Sequence, residues 1–216
     1  MEGRMDAELI DQIKAVSAQV WGFKQGEGIG WMIAIGDRLG LFDAMAGAGP
    51  MSPTDLAAKT GLKELWVDNW LHGIAAAGLV EYFDDGPTFE LAEPAAAVLA
   101  NEETSPFFAA GVFGPGLSAE HLDAIADSFC TGVGMTYDGL GDAPLTCVER
   151  MTAPMIRAVL PDVIRRMKAV SDRLDAGGRV LDIGCGAGMS LVALAESFPA
   201  CELVGLEPSE LAVERA

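Results

Sequence analysis

The segment that most constrains the fold spans residues 179–190, Arg-Val-Leu-Asp-Ile-Gly-Cys-Gly-Ala-Gly-Met-Ser. A short run of buried-strand character enters glycines at every second position, Gly184, Gly186 and Gly188, and leads into an apolar helical stretch over residues 191–198. A second strand-like run, residues 201–206, follows and ends on Glu207. Strand, glycine loop, helix, strand, acid is the opening of a parallel sheet, because parallel neighbours need a long crossover and a helix supplies it. Glycines, having no Cβ, let the backbone turn sharply and let a ligand approach it closely. The helix start behind them offers unpaired N–H groups and a partial positive charge. Ligands of open parallel sheets sit beyond the carboxyl ends of the strands, which is where this loop falls. A carboxylate ending the second strand, Glu207, can accept two hydrogen bonds from a ribose diol.

The glycine spacing also discriminates among ligands. A dinucleotide fingerprint, G-x-G-x-x-G/A, counted from Gly184 requires Gly or Ala where this chain has Met189. The loop therefore argues against a pyrophosphate cradle, and so against a nicotinamide-dependent dehydrogenase. It favours a nucleoside ligand without a diphosphate.

Upstream, residues 50–92 have a different grammar. Ser52 followed by Pro53 and Asp55 is a capped helix start, and Gly61 stops that helix. A second helix is expected from about Lys63 to Ala77, ending at Gly78. Residues 79–83 and 88–91 read as strands joined by the turn Asp84-Asp85-Gly86-Pro87. Helix, turn, helix, hairpin is the order of a winged helix-turn-helix. Its second helix carries one lysine with Glu64 and Asp68, and its wing has Asp84 and Asp85 with no cation. A DNA reader needs cations at both places to meet phosphates, so packing or dimerisation is the expected use. Trp66 and Trp70, one helical turn apart, are expected in the core. His72 reads as structural or superficial.

The flanking segments look helical. Residues 6–20 place Leu9, Ile13, Val16 and Val20 on one helix face. A break is expected at Gly26, Gly28 and Gly30, then a second helix over residues 31–39 continuing past Gly40. Helices this apolar near a terminus are buried in their own domain or against a second copy. Pro94 is expected to start a short helix, and His121 to be exposed. Residues 130–144 are Gly-rich and read as a loop, either functional or a plain linker. Tyr137 within it is a candidate to touch a ligand. Pro161 is expected to open a helix with Val163, Ile164, Met167, Val170 and Leu174 on one face.

Composition excludes several classes. The 216 residues carry 14 basic and 32 acidic side chains, a net charge of −18 spread along the chain, so no basic arm marks a nucleic-acid or anionic-membrane surface. The longest uncharged run, residues 104–119, holds three glycines and two prolines and is too short to span a bilayer. Cys130, Cys147, Cys185 and Cys201 form no C-x-x-C pair, and two histidines complete a poor zinc set, so no metal is expected. Unpatterned thiols without an apolar leader suit the cytoplasm.

Residues 180–188 resemble the first motif of class I S-adenosylmethionine-dependent methyltransferases, and Glu207-Pro208-Ser209 resembles that family's acidic end of the second strand. The upstream half resembles the winged-helix domain at the N-terminus of one group of these enzymes. The resemblance implies that Gly184, Gly186 and Gly188 line the methionine end of S-adenosylmethionine. It implies that Asp182 contacts or orients the methionine amino group and that Glu207 holds the ribose hydroxyls. Catalytic residues are not assigned. The expected fold is mainly α with an α/β part: a winged-helix, dimerisation-type domain over residues 1–100, a helical linker on the substrate side over 101–160, and a partial Rossmann-like domain over 161–216. The implied activity is methyl transfer to a small-molecule acceptor, with homodimerisation through the N-terminal helices. The alternative is a non-catalytic winged-helix interaction or regulatory module. Two parallel strands cannot cover their own faces and edges, so the chain is expected to be a fragment of a longer protein or to need a partner.

Overall fold

The computed structural model describes residues 7–114 and 118–216. Helix α1, Ala7–Arg38, is one continuous helix of 32 residues, where the sequence suggested two helices separated at Gly26, Gly28 and Gly30. A glycine inside a helix costs about 1 kcal/mol relative to alanine, which weakens a helix without breaking it. Ion pairs Lys14–Asp11 and Lys24–Glu27 lie along it, and its last turns are held by packing. The glycine that matters there is Gly36, over which the rings of Phe42 and Trp70 close so tightly that a Cβ would lie 2.5 Å from Trp70. The left-handed Gly40 (φ 66°) then separates α1 from α2, Leu41–Met45, in place of the expected continuation.

Helices α3, Pro53–Thr60, and α4, Glu64–Ala76, follow as the sequence implied. Ser52 Oγ accepts from the Asp55 amide at 3.1 Å, and Gly61 adopts φ 72° to end α3. The wing is β1, Glu81–Phe83, antiparallel to β2, Thr88–Glu90. Its strands are shorter than expected because the Leu79 amide still bonds back to the Ile74 carbonyl at 3.2 Å, keeping residues 79 and 80 in the helix exit. Met51 pairs with Phe89 in both directions, adding a bridge that the sequence did not suggest. Phe42, Met45, Leu56, Leu71, Ile74 and Phe89 make the core of this half. Trp70 joins them at 6% exposure, but Trp66 stands 72% exposed, contrary to expectation. One turn nearer the helix start, Trp66 flanks an apolar groove of about 280 Å³ with Ile35, Leu39 and Leu62 rather than the core.

The linker is more helical than its glycines suggested. After α5, Glu93–Leu99, and a 3-10 turn at Ala110–Val112 come α6, Ala119–Thr131, α7, Tyr137–Leu140, and α8, Asp142–Arg166. The expected loop over 130–144 narrows to residues 132–136 and the helix ends around it: Gly132 (φ 72°) terminates α6, Thr136 Oγ1 caps α7 by accepting from Gly139, and Gly141 precedes α8. Helix α8 starts nineteen residues before the expected Pro161 and runs through both Pro154 and Pro161. Each proline removes one backbone bond, and packing of Leu145, Ala153 and Pro154 against neighbouring elements keeps the helix intact. A break at Met167 starts α9, Lys168–Asp175, so the expected single apolar face divides: Ile164 and Leu174 enter a core, while Val163, Met167 and Val170 remain exposed. His121 is half-buried rather than exposed. Its Nδ1 accepts from the Ser118 amide and Ser118 Oγ accepts from the His121 amide, a reciprocal cap.

The last part is β3, Arg179–Ile183, α10, Met189–Ser197, β4, Glu202–Leu206, and α11, Glu210–Arg215. Strands β3 and β4 are parallel, with Asp182 opposite Gly205 and Ile183 opposite Leu206. Leu174, Leu194 and Phe198 form a small core with Ile164, Val180 and Leu203. Leu181, Ile183, Val204 and Leu206 lie exposed, as expected for two strands without further neighbours.

Candidate functional site

The three glycines of the loop between β3 and α10 all take left-handed conformations, Gly184 at φ 78°, Gly186 at 55° and Gly188 at 76°. Any other residue would be strained at each of them, which is the physical content of their spacing. Among the described residues, apart from the chain neighbours, no heavy atom lies within 4 Å of where a Cβ of Gly184 or Gly186 would stand, so the loop's backbone is open to a ligand. The Gly184 and Cys185 amides donate to the Leu206 carbonyl at 2.7 and 3.3 Å, which anchors the loop to the end of β4. Cys185 packs its sulfur over Gly205, where a Cβ would lie 2.5 Å away, and is a packing residue.

Glu207 is brought directly to this loop. Its Oε2 accepts from the Gly186 amide at 2.9 Å and its Oε1 accepts from the Ser209 amide at 2.9 Å. Each oxygen keeps acceptor capacity, so the carboxylate is oriented and still able to take a diol. Asp182 stands on β3 two residues before Gly184, half-buried, and its carboxylate has no hydrogen-bond or ion-pair partner among the described residues. Gly188 gives α10 no side-chain cap, leaving the amides of its first turn available. The five sequence-derived residues therefore share one loop and the two strand ends that flank it.

A contact between Ser209 and Asp138 was not seen in the sequence. Ser209 caps α11, with Oγ accepting from the Ala212 amide at 3.1 Å. The same hydroxyl donates to Asp138 Oδ1, and the Glu210 amide donates to Asp138 Oδ2 at 3.1 Å. These donors hold the Asp138 carboxyl below its ordinary range, the Ser209 bond being the largest cause. Ser209 was legible as a helix cap; Asp138, some seventy residues away in the chain, had no local signal. Beside it, Tyr137, Met135 and Thr136 face Pro208 and Ser209 across a cavity of about 250 Å³.

A second, larger cavity of about 520 Å³ lies between α1 and α8, with Trp31, Ile35, Phe113 and Cys147 on its walls. At its floor Arg150 forks onto Asp37 at 2.6 and 2.8 Å and onto Glu102 at 2.6 and 3.0 Å. The two carboxylates raise the guanidinium pKa above its already high value, so Arg150 is a fixed charge. No group of three metal-capable side chains exists among the described residues, and no described helix is long and apolar enough to cross a membrane.

A capped winged helix joined through a helical linker to a parallel β-α-β unit with an open glycine loop and an acid beyond the second strand defines a two-part fold, a winged helix followed by the start of a Rossmann-like sheet. Known families agree. Residues 27–101 match the Rv2258c-like winged HTH domain and residues 174–216 match a methyltransferase domain. The chain thus couples a winged helix-turn-helix domain to a partial methyltransferase fold. No curated protein matches the sequence. Among solved structures, the chain is similar to the mitomycin 7-O-methyltransferase MmcR (TM-score 0.62, 21% identity, 95% of this chain and 62% of that one). It is similar to human N-acetylserotonin methyltransferase in complex with S-adenosylmethionine (TM-score 0.57, 16% identity, 100% and 63%). A putative O-methyltransferase from Nostoc punctiforme is similar as well (TM-score 0.57, 17% identity, 92% and 59%). The chain spans less than two thirds of the length of these proteins.

Proposed function

We propose that this chain is the N-terminal portion of an S-adenosylmethionine-dependent methyltransferase acting on a small-molecule acceptor. The observation that carries the reading is the Glu207 carboxylate held by the Gly186 amide across the mouth between β3 and β4. It presents a diol acceptor at the edge of an open glycine loop, beside Asp182, an acid with no partner among the described residues, and the start of α10, which has no side-chain cap. These groups fit the cofactor: Glu207 for the ribose hydroxyls, Asp182 for the methionine ammonium, and Gly184, Gly186 and Gly188 as a backbone surface on which the ligand lies. When bound, the sulfonium supplies an electrophilic methyl group that an acceptor nucleophile displaces directly. The chain's task is then alignment and exclusion of water rather than covalent participation.

The N-terminal half supports a second copy of the chain as partner. Residues 7–28 of α1 are exposed except for a half-buried Ile10, and they carry Leu9, Ile13, Val16, Val20, Trp21 and Phe23. An apolar surface of this kind on a helix with little support from its own chain is best covered by another such surface. The acidic α4 and wing disfavour nucleic acid. The four unpaired cysteines agree with a cytoplasmic setting. We also propose domain limits of 1–100, 101–160 and 161–216, the last boundary falling inside α8.

Calorimetric titration with S-adenosylhomocysteine tests the cofactor reading. Saturable binding that weakens about tenfold in Glu207→Gln is expected, from the loss of hydrogen bonds to a charged acceptor. Absence of binding, or binding indifferent to Glu207, refutes it.

A further inference from the structure

The connection that carries Glu207 is short and has little support of its own. It leaves β4 at Leu206, passes Pro208 and enters α11 at Glu210, and the sheet beside it has a bare face. Two amides orient the carboxylate, those of Gly186 and Ser209. The first belongs to the glycine loop. The second is only as well placed as Ser209 itself, and Ser209 is pinned from outside the sheet: its hydroxyl donates to Asp138, which also accepts from the Glu210 amide.

We propose that Asp138 is a positioning residue for the nucleoside end of the cofactor site, acting through Ser209 to aim the Glu207 carboxylate. This rests on the cofactor reading above. The bonds form an unbroken series from the linker to the glycine loop: α7 carries Asp138, Asp138 fixes Ser209, the Ser209 amide orients Glu207, and Glu207 holds Gly186. The linker end of the series is itself anchored. Thr136 caps α7, and Arg215 at the far end of α11 reaches back to Asp142, Thr146 and Glu149 on α8. α11 is thus clamped at both ends onto the linker, at its start by Asp138 and at its finish by Arg215. The lowered Asp138 pKa keeps this acceptor ionised throughout the neutral range. Glu207 therefore depends on a residue outside the β-α-β unit, and the α7 segment that supplies it also sets Tyr137 beside the same turn.

The test uses two ligands, S-adenosylhomocysteine and its 2′,3′-dideoxy analogue, titrated into the chain and into Asp138→Ala, Ser209→Ala and the double variant. Asp138→Ala is expected to weaken S-adenosylhomocysteine about tenfold, the scale of a charge-assisted hydrogen bond, and to leave the dideoxy analogue unchanged, because that ligand makes no use of Glu207. The double variant is expected to be no weaker than either single one. Equal losses for both ligands would mean a general structural role and overturn the proposal, as would no loss for either. If Asp138→Ala fails to fold, Asp138→Asn retains one acceptor oxygen and is expected to lose about two- to threefold for the diol ligand alone. If the parent chain binds neither ligand, the cofactor reading itself fails. Amide exchange in the free protein then decides the positioning tie separately: the Gly186 and Ser209 amides are expected to exchange about tenfold faster in Asp138→Ala, and unchanged exchange overturns it.

Discussion

Four glycines of α1 make a test in which one substitution should reverse sign along a single helix. At Gly22 and Gly26 no described residue outside the helix's own adjoining backbone lies within 4 Å of an added Cβ. Both are in the helix that the sequence suggested was interrupted near Gly26. If that helix is continuous, Gly22→Ala and Gly26→Ala each stabilise it by about 0.5–1 kcal/mol through the entropy that glycine loses on becoming helical. At Gly36 the same methyl meets Trp70 at 2.5 Å and Phe42 at 2.6 and 2.9 Å, and these are ring atoms that have no flexible end to swing aside. Overpacking of this kind costs about 1–3 kcal/mol. Displacing Trp70 also endangers the bond from its Nε1 to the Met32 carbonyl at 2.9 Å, which contributes about 1 kcal/mol. The propensity gain is the smaller quantity, so Gly36→Ala should be a net loss of about 1–3 kcal/mol and lower the melting temperature by roughly 2–10 °C. Gly30, where Phe113 approaches a Cβ to 3.2 Å, should fall between. Far-UV circular dichroism melts of the four variants provide the assay. A Gly36→Ala variant as stable as the parent would refute the packing argument, and a Gly26→Ala variant that loses helix signal would refute continuity of α1.

Trp70→Ala should cost about 3–5 kcal/mol in urea denaturation, the usual range for a buried aromatic, whereas Trp66→Ala should fall within about 0.5 kcal/mol. Arg150→Met leaves Asp37 and Glu102 facing each other across a partly buried space. The loss should be about 1–3 kcal/mol, below the figure for a fully buried pair because the guanidinium is 31% exposed. Arg150→Lys, which keeps the charge and loses the fork, should recover part of this in the same titration. Because the folded pKa of Asp138 lies below its ordinary 3.8, its contribution is complete above that value and is lost as pH falls through the lower folded one. Melting temperatures of the parent and Asp138→Asn measured against pH should therefore differ at neutrality and converge in acid.

What the sequence disclosed was whatever a few neighbouring residues decide. Ser52-Pro53, Gly61, the Asp-Asp-Gly-Pro turn and the alternate glycines at 184, 186 and 188 act through their own backbone, and each appears where it was read. The failures share a cause of the opposite kind. Gly26 and Pro161 are locally unfavourable to helix, but α1 and α8 pass through them because packing elsewhere on the same helix outweighs about 1–3 kcal/mol of local preference. Trp66 and Trp70 have the same spacing logic and different fates, since only the neighbours of α4 decide which one is covered. Glu207 was legible as the acid that ends the second strand-like run, while Asp138 is defined solely by contact across the chain.

Three arginines explain how those separate pieces become one arrangement around α8. Arg150 on α8 binds Asp37 of α1 and Glu102 beyond α5, and lies over the Phe108 ring at 5.5 Å. Arg165, near the end of the same helix, spans Asp175 and the Ser197 carbonyl and lies 4.0 Å from the Phe198 ring centroid. Arg215 comes the other way, from α11 onto Asp142 and Glu149. In a chain with a net charge of −18, each arginine is a scarce partner for surrounding carboxylates, and each gathers acids or carbonyls from elements distant in sequence. The N-terminal half meets α8 through the first, with Arg157 beside it on the Glu102 carbonyl, and the C-terminal part through the second and third. A displacement of α8 would thus move Arg150 beside the Trp31 cavity and the α11 clamp behind Glu207 together.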